Sequence, residues 1–226
     1  IALLDGDDEY LTGYIAEICR LMEYYPSADG YSTAFDILND GKRTAAPCPT
    51  AEGEINPAEE ALKGRYPIIP STATLRRESI IRAGGFPEGM RLGEDQWLWA
   101  RMMQCKMRFV FSPMSLVRYS RSAANRSATI YRSEASEHSI EELLNDNNTQ
   151  ILNEYIARIA IGKAITQSVR GGSDDARRAI EKFSFTRLSR RQLRRLKVLN
   201  ALPSALRPTV DAIYRAAAWT LKKRGL

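Results

Sequence analysis

The sequence predicts an α/β fold in which a mixed sheet flanked by helices is followed by a helical C-terminal region. Three observations predict it. Short apolar or β-prone runs at residues 1–4, 31–38 and 107–111 alternate with helix-period segments. Gly and Pro clusters punctuate them. Past residue 139 only helix-period segments remain, so strands and helices mix first and helices follow alone. The chain has 226 residues, 44% of them hydrophobic, enough to bury a sizeable core. The expected domain division is 1–130 and 131–226.

The elements follow in order. Residues 1–4 read as a buried strand ending at Asp5, Asp7, Asp8 and Glu9. Residues 10–24 read as one helix, with Leu11, Ile15, Ile18, Leu21 and Met22 on roughly one face. Residues 26–30 form a turn and 31–38 a strand. Residues 39–70 carry five prolines and read as a long irregular excursion. Residues 68–75 return to the sheet, and a short helix at 77–83 stops at Gly84-Gly85. Residues 94–105 are helical, with Leu98, Met102 and Cys105 in register. A strand at 107–111 is extended by 116–121. Ser139 to Glu142 spell a capping box. An amphipathic helix is expected at 151–169, a break at Gly171-Gly172, a helix start at Ser173-Asp174-Asp175, and further helices at 189–202 and 208–223. Val210, Ile213, Tyr214, Ala217 and Leu221 share one face of the last.

Charge is uneven along the chain. From Gly171 onward there are 14 Lys or Arg against 4 Asp or Glu, whereas the first 170 residues carry 19 against 23. The net +6 therefore resides in the tail, which suits an anionic partner. Cys19, Cys48 and Cys105 are odd in number and far apart, which points to free thiols in a reducing compartment. No apolar run is long enough to span a bilayer, and the opening residues do not read as a signal peptide, so none is expected. The chain opens inside a strand-like run without Met, and the expectation is a fragment with upstream residues absent.

A strand running into Asp5-x-Asp7 places two carboxylates at the carboxyl edge of a sheet, where α/β folds bind ligands. Clustered carboxylates repel unless a cation offsets them, and Mg²⁺ or Mn²⁺ prefers such oxygens and bridges to phosphates. A solvated acidic turn bent at Gly6 accounts for the same residues equally well. A second segment separates the two readings. It runs Gly84-Gly85-Phe86-Pro87-Glu88, then Leu92-Gly93-Glu94-Asp95-Gln96-Trp97-Leu98-Trp99.

The pair of segments, in this order and about ninety residues apart, resembles the family 2 glycosyltransferases of the GT-A fold over residues 1–127. The resemblance implies a GT-A-like sheet lacking its N-terminal nucleotide-binding strands. It implies an inverting, metal-dependent transfer of sugar from a nucleotide-sugar donor to a hydroxyl of a carbohydrate or lipid-linked acceptor, in cell-surface glycan synthesis. Asp95 is then the catalytic base, Asp7 and Asp5 the Mn²⁺ or Mg²⁺ ligands, and Asp5 and Asp8 donor-binding, with Glu94 and Trp97 lining the acceptor side. A carboxylate in the first turn of a helix is favoured there on general grounds too, and capping alone would explain Glu94 and Asp95. Related enzymes carry a basic, Ser-containing loop after the last strand. Of Arg118, Arg121, Asn125, Arg126 and Ser127, Arg121 is the preferred donor-binding candidate. Processive members have Gln-x-x-Arg-Trp; Gln192 to Leu196 lacks the Trp, so a non-processive enzyme is expected.

Two alternatives stand beside this reading. A haloacid-dehalogenase-like phosphohydrolase also sets Asp-x-Asp after a strand, but Asp8-Glu9-Tyr10 follows here instead of a Thr. A non-enzymatic basic helical binder would use Arg190, Arg191, Arg194, Arg195, Lys197, Lys222, Lys223 and Arg224. The tail has few interleaved aromatics for nucleic acid, and with Trp219 it fits an anionic membrane surface better. The expected location is cytoplasmic, peripheral at the inner face of the membrane. His138, in a polar stretch, is expected at the surface or in a cap.

Overall fold

The structure, a computed structural model, describes residues 1–122 and 138–223, with backbone alone from 219 onward. Asn125, Arg126, Ser127, Trp219, Lys222, Lys223 and Arg224 lie outside the described side chains. The chain divides into two compact units, Ile1–Leu152 and Asn153–Leu226.

The first unit is built on a six-stranded mixed sheet. Its strands are β1 (Glu9–Tyr10), β2 (Gly30–Asn39), β3 (Lys42–Ala45), β4 (Gly53–Ile55), β5 (Thr74–Leu75) and β6 (Phe109–Ser120). The order is β1-β6-β2-β3, with β4 also on β6 and β5 on β2. Only β2 and β6 run parallel. Their side chains alternate between two cores. On one, Tyr31, Phe35, Val110 and Val117 pack with Tyr14, Ile18 and Leu21 of α1 (Tyr14–Tyr24). On the other, Phe109 and Leu75 pack with Ala83 of α3 (Arg77–Ala83) and with Leu98, Trp99 and Met102 of α4 (Glu94–Gln104). Strand β6 joins the two segments expected at 107–111 and 116–121. Its register on β2 shifts after Ser112, where Pro113 has no N–H to give the ladder.

The structure departs from expectation at three places. Residues 1–4 make a single antiparallel bridge, Ala2 to Thr74, and Ile1 and Leu4 are exposed rather than buried; their partner β5 is only two residues long. The helix expected at 10–24 begins at Tyr14, because Gly13 adopts the left-handed φ of 96° and Glu9–Tyr10 pairs with β6 instead. The irregular excursion is ordered. Asp40 and Gly41, at φ 49° and 76°, close a two-residue hairpin between β2 and β3. Asn56 caps α2 (Pro57–Leu62), accepting from the Ala58 and Glu59 amides. The helix stop at Gly84 forms as expected, with φ 96°.

The second unit is helical. It holds most of α5 (Gln150–Val169), then α6 (Ser173–Lys182), α7 (Arg190–Ala201) and α8 (Arg207–Lys223). Helix α5 is buried at the consecutive positions Glu154, Tyr155, Ile156 and Ala157, rather than along one stripe. Buried Arg207 donates to the carbonyls of Leu202, Ser168 and Asn200 and to the Ser173 hydroxyl, tying the ends of three helices together. On the face of α8 that carries Ile213 and Tyr214 both side chains are open, Ile213 63% and Tyr214 40% exposed. No helix among the described residues is long and apolar enough to cross a membrane.

Candidate active site

Residues 5–8 form a tight turn closed by the Asp8 amide donating to the Asp5 carbonyl at 3.1 Å. The turn is bolted to two elements distant in sequence. Ser71, buried in the 3-10 turn Pro70–Thr72, accepts the Asp5 amide at 3.1 Å and donates its hydroxyl to the Asp8 carboxylate. The Ser120 amide, at the end of β6, donates to the other Asp8 oxygen at 2.8 Å. Asp8 is thus held by protein donors at both oxygens, and the acidic turn sits at the carboxyl end of β6. Arg121 follows, exposed, its amide donating to the Leu38 carbonyl at the end of β2. Arg118 is spent on an ion pair with Glu9 at 2.8 Å.

Across from the turn stands the start of α4. Its preceding residue, Gly93, is left-handed at φ 84°, a conformation that costs other residues energy. No side chain caps this helix, and Glu94 and Asp95 fill its first turn. Asp95 is half-buried. Desolvation pushes its pKa up to about 6, with Glu94 and Asp5 adding repulsion, against hydrogen bonds from the Gln96 amide and its own. Asp5, though exposed as a residue, is raised too, first by desolvation of its carboxylate and then by Asp7 and Glu94. Asp8 is raised by burial, which outweighs its bonds from Ser71 and Ser120. One Glu94 oxygen, Oε2, is buried without a hydrogen-bond partner. Asp5 therefore links the two segments, some ninety positions apart in sequence: Asp7 and Glu94 act on it, and it acts on Asp95 together with Glu94.

Trp97 lies one turn further along α4. Its indole Nε1 donates to Glu142 Oε1 at 2.6 Å, and His138 meets the same oxygen through Nδ1 at 3.1 Å while crossing the Trp97 ring edge-on. Trp99 is buried in the core. His138 thus sits at the segment opened by the Ser139 capping box, as expected for a surface or cap position.

Among the described residues no group of three or more His, Cys, Asp or Glu is arranged to hold a metal ion alone. Asp5 and Asp7 still fit a hard cation. Among the described residues neither carboxylate has a protein donor comparable to those on Asp8, Asp7 and Glu94 repel the Asp5 charge, and Mg²⁺ sites ordinarily combine one or two carboxylates with phosphate oxygens and water. Sequence reasoning missed Ser71: a lone Ser after Pro70 carries no signal of its own.

The same architecture occurs among solved structures. The crystal structure of S. aureus TarS 1–349 in complex with UDP-GlcNAc matches 96% of this chain and 67% of its own, with a TM-score of 0.61 at 12% identity. This chain has a glycosyltransferase-like fold. No family model and no curated protein sequence matches it.

Proposed function

We propose that this chain transfers a sugar from a nucleotide-sugar donor to a hydroxyl acceptor, as an inverting, metal-dependent, non-processive enzyme of the family 2 type serving cell-surface glycan synthesis. The observation that carries the proposal is the repulsion that couples Asp5, beside Asp7 in the acidic turn, to Glu94 and Asp95 at the start of α4. The TarS fold supports it, and the UDP-GlcNAc bound to TarS favours a nucleotide sugar as the donor class.

In this reading Asp95 is the base. Its carboxylate takes the proton of the acceptor hydroxyl as that oxygen bonds to the anomeric carbon. The bond from that carbon to the diphosphate breaks in the same step, the diphosphate leaves with the electron pair, and a single displacement inverts the centre. Asp5 and Asp7 are the residues that would hold Mg²⁺ or Mn²⁺, which when bound neutralises charge on the leaving diphosphate. Asp8 serves the donor by fixing the turn that carries Asp5 and Asp7. Arg121 adds positive charge at the same edge. Glu94 and Trp97 line the acceptor side, for a carbohydrate or lipid-linked acceptor.

The test is a thermal-shift panel of UDP-, GDP- and dTDP-sugars with and without Mn²⁺. One nucleotide class should raise Tm in a Mn²⁺-dependent way, and Asp7→Ala should abolish that dependence. No shift with any donor, or a shift untouched by Asp7→Ala, contradicts the reading.

A further inference from the structure

Helix α7 contains no acidic residue and turns one continuous face to solvent. Arg190, Arg191, Arg194, Lys197 and Val198 are exposed, while Leu193, Leu196 and Leu199 face the core. Arg187 extends the basic face by one turn. None of the five cations makes an ion pair among the described residues, although Arg195 on the inner flank is paired with Asp211.

The placement of two of them runs against the helix. Arg190 and Arg191 occupy the first turn, where the helix dipole disfavours positive charge, and that turn holds no acidic residue of its own. Ser189 precedes them without capping the helix through its side chain.

Apolar side chains flank the cations. Phe185 is 44% exposed, Leu188 57% and Val198 43%. These are not the tips of a loose loop. Buried Glu154 accepts from the Thr186 hydroxyl, from the Arg187 amide at 2.7 Å and from the Leu188 amide at 3.2 Å. That carboxylate clamps the turn between Phe183, which is fully buried, and the start of α7. The turn is therefore preorganised with Phe185 and Leu188 outward beside five unpaired cations.

We propose that this surface (Arg187, Arg190, Arg191, Arg194 and Lys197, with Phe185 and Leu188) docks on an anionic lipid bilayer. The cations meet the negative leaflet potential, and the two apolar side chains enter the headgroup boundary. A polyanion dissolved in water satisfies the cations but offers nothing to an exposed Leu and Phe, so the bilayer fits the whole surface. The site keeps Arg190, Arg191, Arg194 and Lys197 of the basic tail that the sequence suggested, and sets Arg187, Phe185 and Leu188 beside them in place of the last helix and Trp219. It is also independent of the sugar-transfer reading, since no residue of the acidic site takes part.

The experiment is co-sedimentation of the full chain with phosphatidylcholine vesicles, with and without phosphatidylglycerol, at low and high salt. Binding is expected only with phosphatidylglycerol and should weaken with salt. The triple variant Arg190→Glu, Arg191→Glu, Arg194→Glu should lower the partition coefficient by roughly a hundredfold or more. Phe185→Ser with Leu188→Ser should lower it at least about tenfold, with the residual binding still salt-sensitive. The charge-matched control Lys42→Glu, Arg77→Glu, Lys106→Glu should bind nearly as well as the parent. Circular dichroism verifies that each variant keeps its helix content. Absence of vesicle binding overturns the proposal, as does equal loss in the control. Retention of a single-stranded oligonucleotide through the same cations, insensitive to the Phe185 and Leu188 changes, assigns the surface to nucleic acid and overturns it too.

Discussion

Ser71 and Asp8, 63 positions apart, are joined by a hydrogen bond from the serine hydroxyl to the carboxylate. The same hydroxyl accepts the Asp5 amide, so one buried oxygen fixes both ends of the acidic turn. The turn's shape depends on a residue that never needs to touch substrate.

Replacing Ser71 by Ala removes both bonds and leaves Asp8 with the Ser120 amide alone. The expected cost is about 1 kcal/mol, because the half-buried Asp8 carboxylate loses one of its donors. Denaturant unfolding measures it. Donor affinity should fall in the same variant, while Ser71→Thr, which keeps the hydroxyl, recovers part of both.

Asp95 has a folded pKa raised to about 6. A raised carboxylate favours the protonated native state, so its contribution to stability is present in acid and lost as pH rises through about 6. At pH 7.5 the ionised group works against the fold. Asp95→Asn should accordingly raise stability there by roughly 1–2 kcal/mol, and the gain should shrink in acid. In the parent, kcat/KM should rise with pH and level off above a single apparent pKa near 6. A flat profile between pH 5 and 8 goes against this assignment.

Glu142 behaves in the opposite sense. Burial alone would raise its pKa, but hydrogen bonds from Trp97 and His138 outweigh it and lower the value. A depressed carboxylate adds stability above its unfolded pKa and loses it as pH falls. Trp97→Phe removes the indole donor and should cost about 1 kcal/mol at pH 7.5. The difference from the parent should narrow as Glu142 protonates, which paired urea titrations at pH 7.5 and pH 4 would reveal.

Gly93 supplies the left-handed residue that starts α4 in front of Glu94 and Asp95. An added Cβ there has space, with Met90 Cε at 3.5 Å, but the φ of 84° is strained for any L side chain. Gly93→Ala should cost about 1 kcal/mol. Turnover should fall further than donor binding, because the position of Asp95, the proposed base, depends on that turn.

Much of this was legible in the residues. The α/β beginning and helical end follow from hydrophobic period and punctuation, and Gly84 stops its helix as a glycine with positive φ should. The two acidic segments were legible as a pair, though neither was decisive alone. Some signals were present and went unread. Asp40-Gly41 is a two-residue hairpin turn, and Asn56-Pro57 is a cap followed by a first-turn proline, yet the density of prolines around them suggested a loop. Other features have no local signal. Gly13 could close a turn or sit in a helix, and only its pairing environment beside β6 decides. Ser71 matters because the chain brings it under residues 5–8 from 63 positions away. The exposed faces of α7 and α8 show the limit of periodicity, which finds an apolar or basic face but not what lies against it.

The proposed roles divide the chemistry: Asp95 takes the acceptor's proton while Asp5 and Asp7 serve the donor. The most direct measurement compares Asp95→Asn with the parent in one preparation, following both the Mn²⁺-dependent thermal shift with the best nucleotide sugar and the rate of sugar transfer. The donor shift should be unchanged and transfer slowed by about 10²–10⁴-fold. A variant that transfers sugar at the parent rate, or that loses the donor shift along with activity, would contradict these roles.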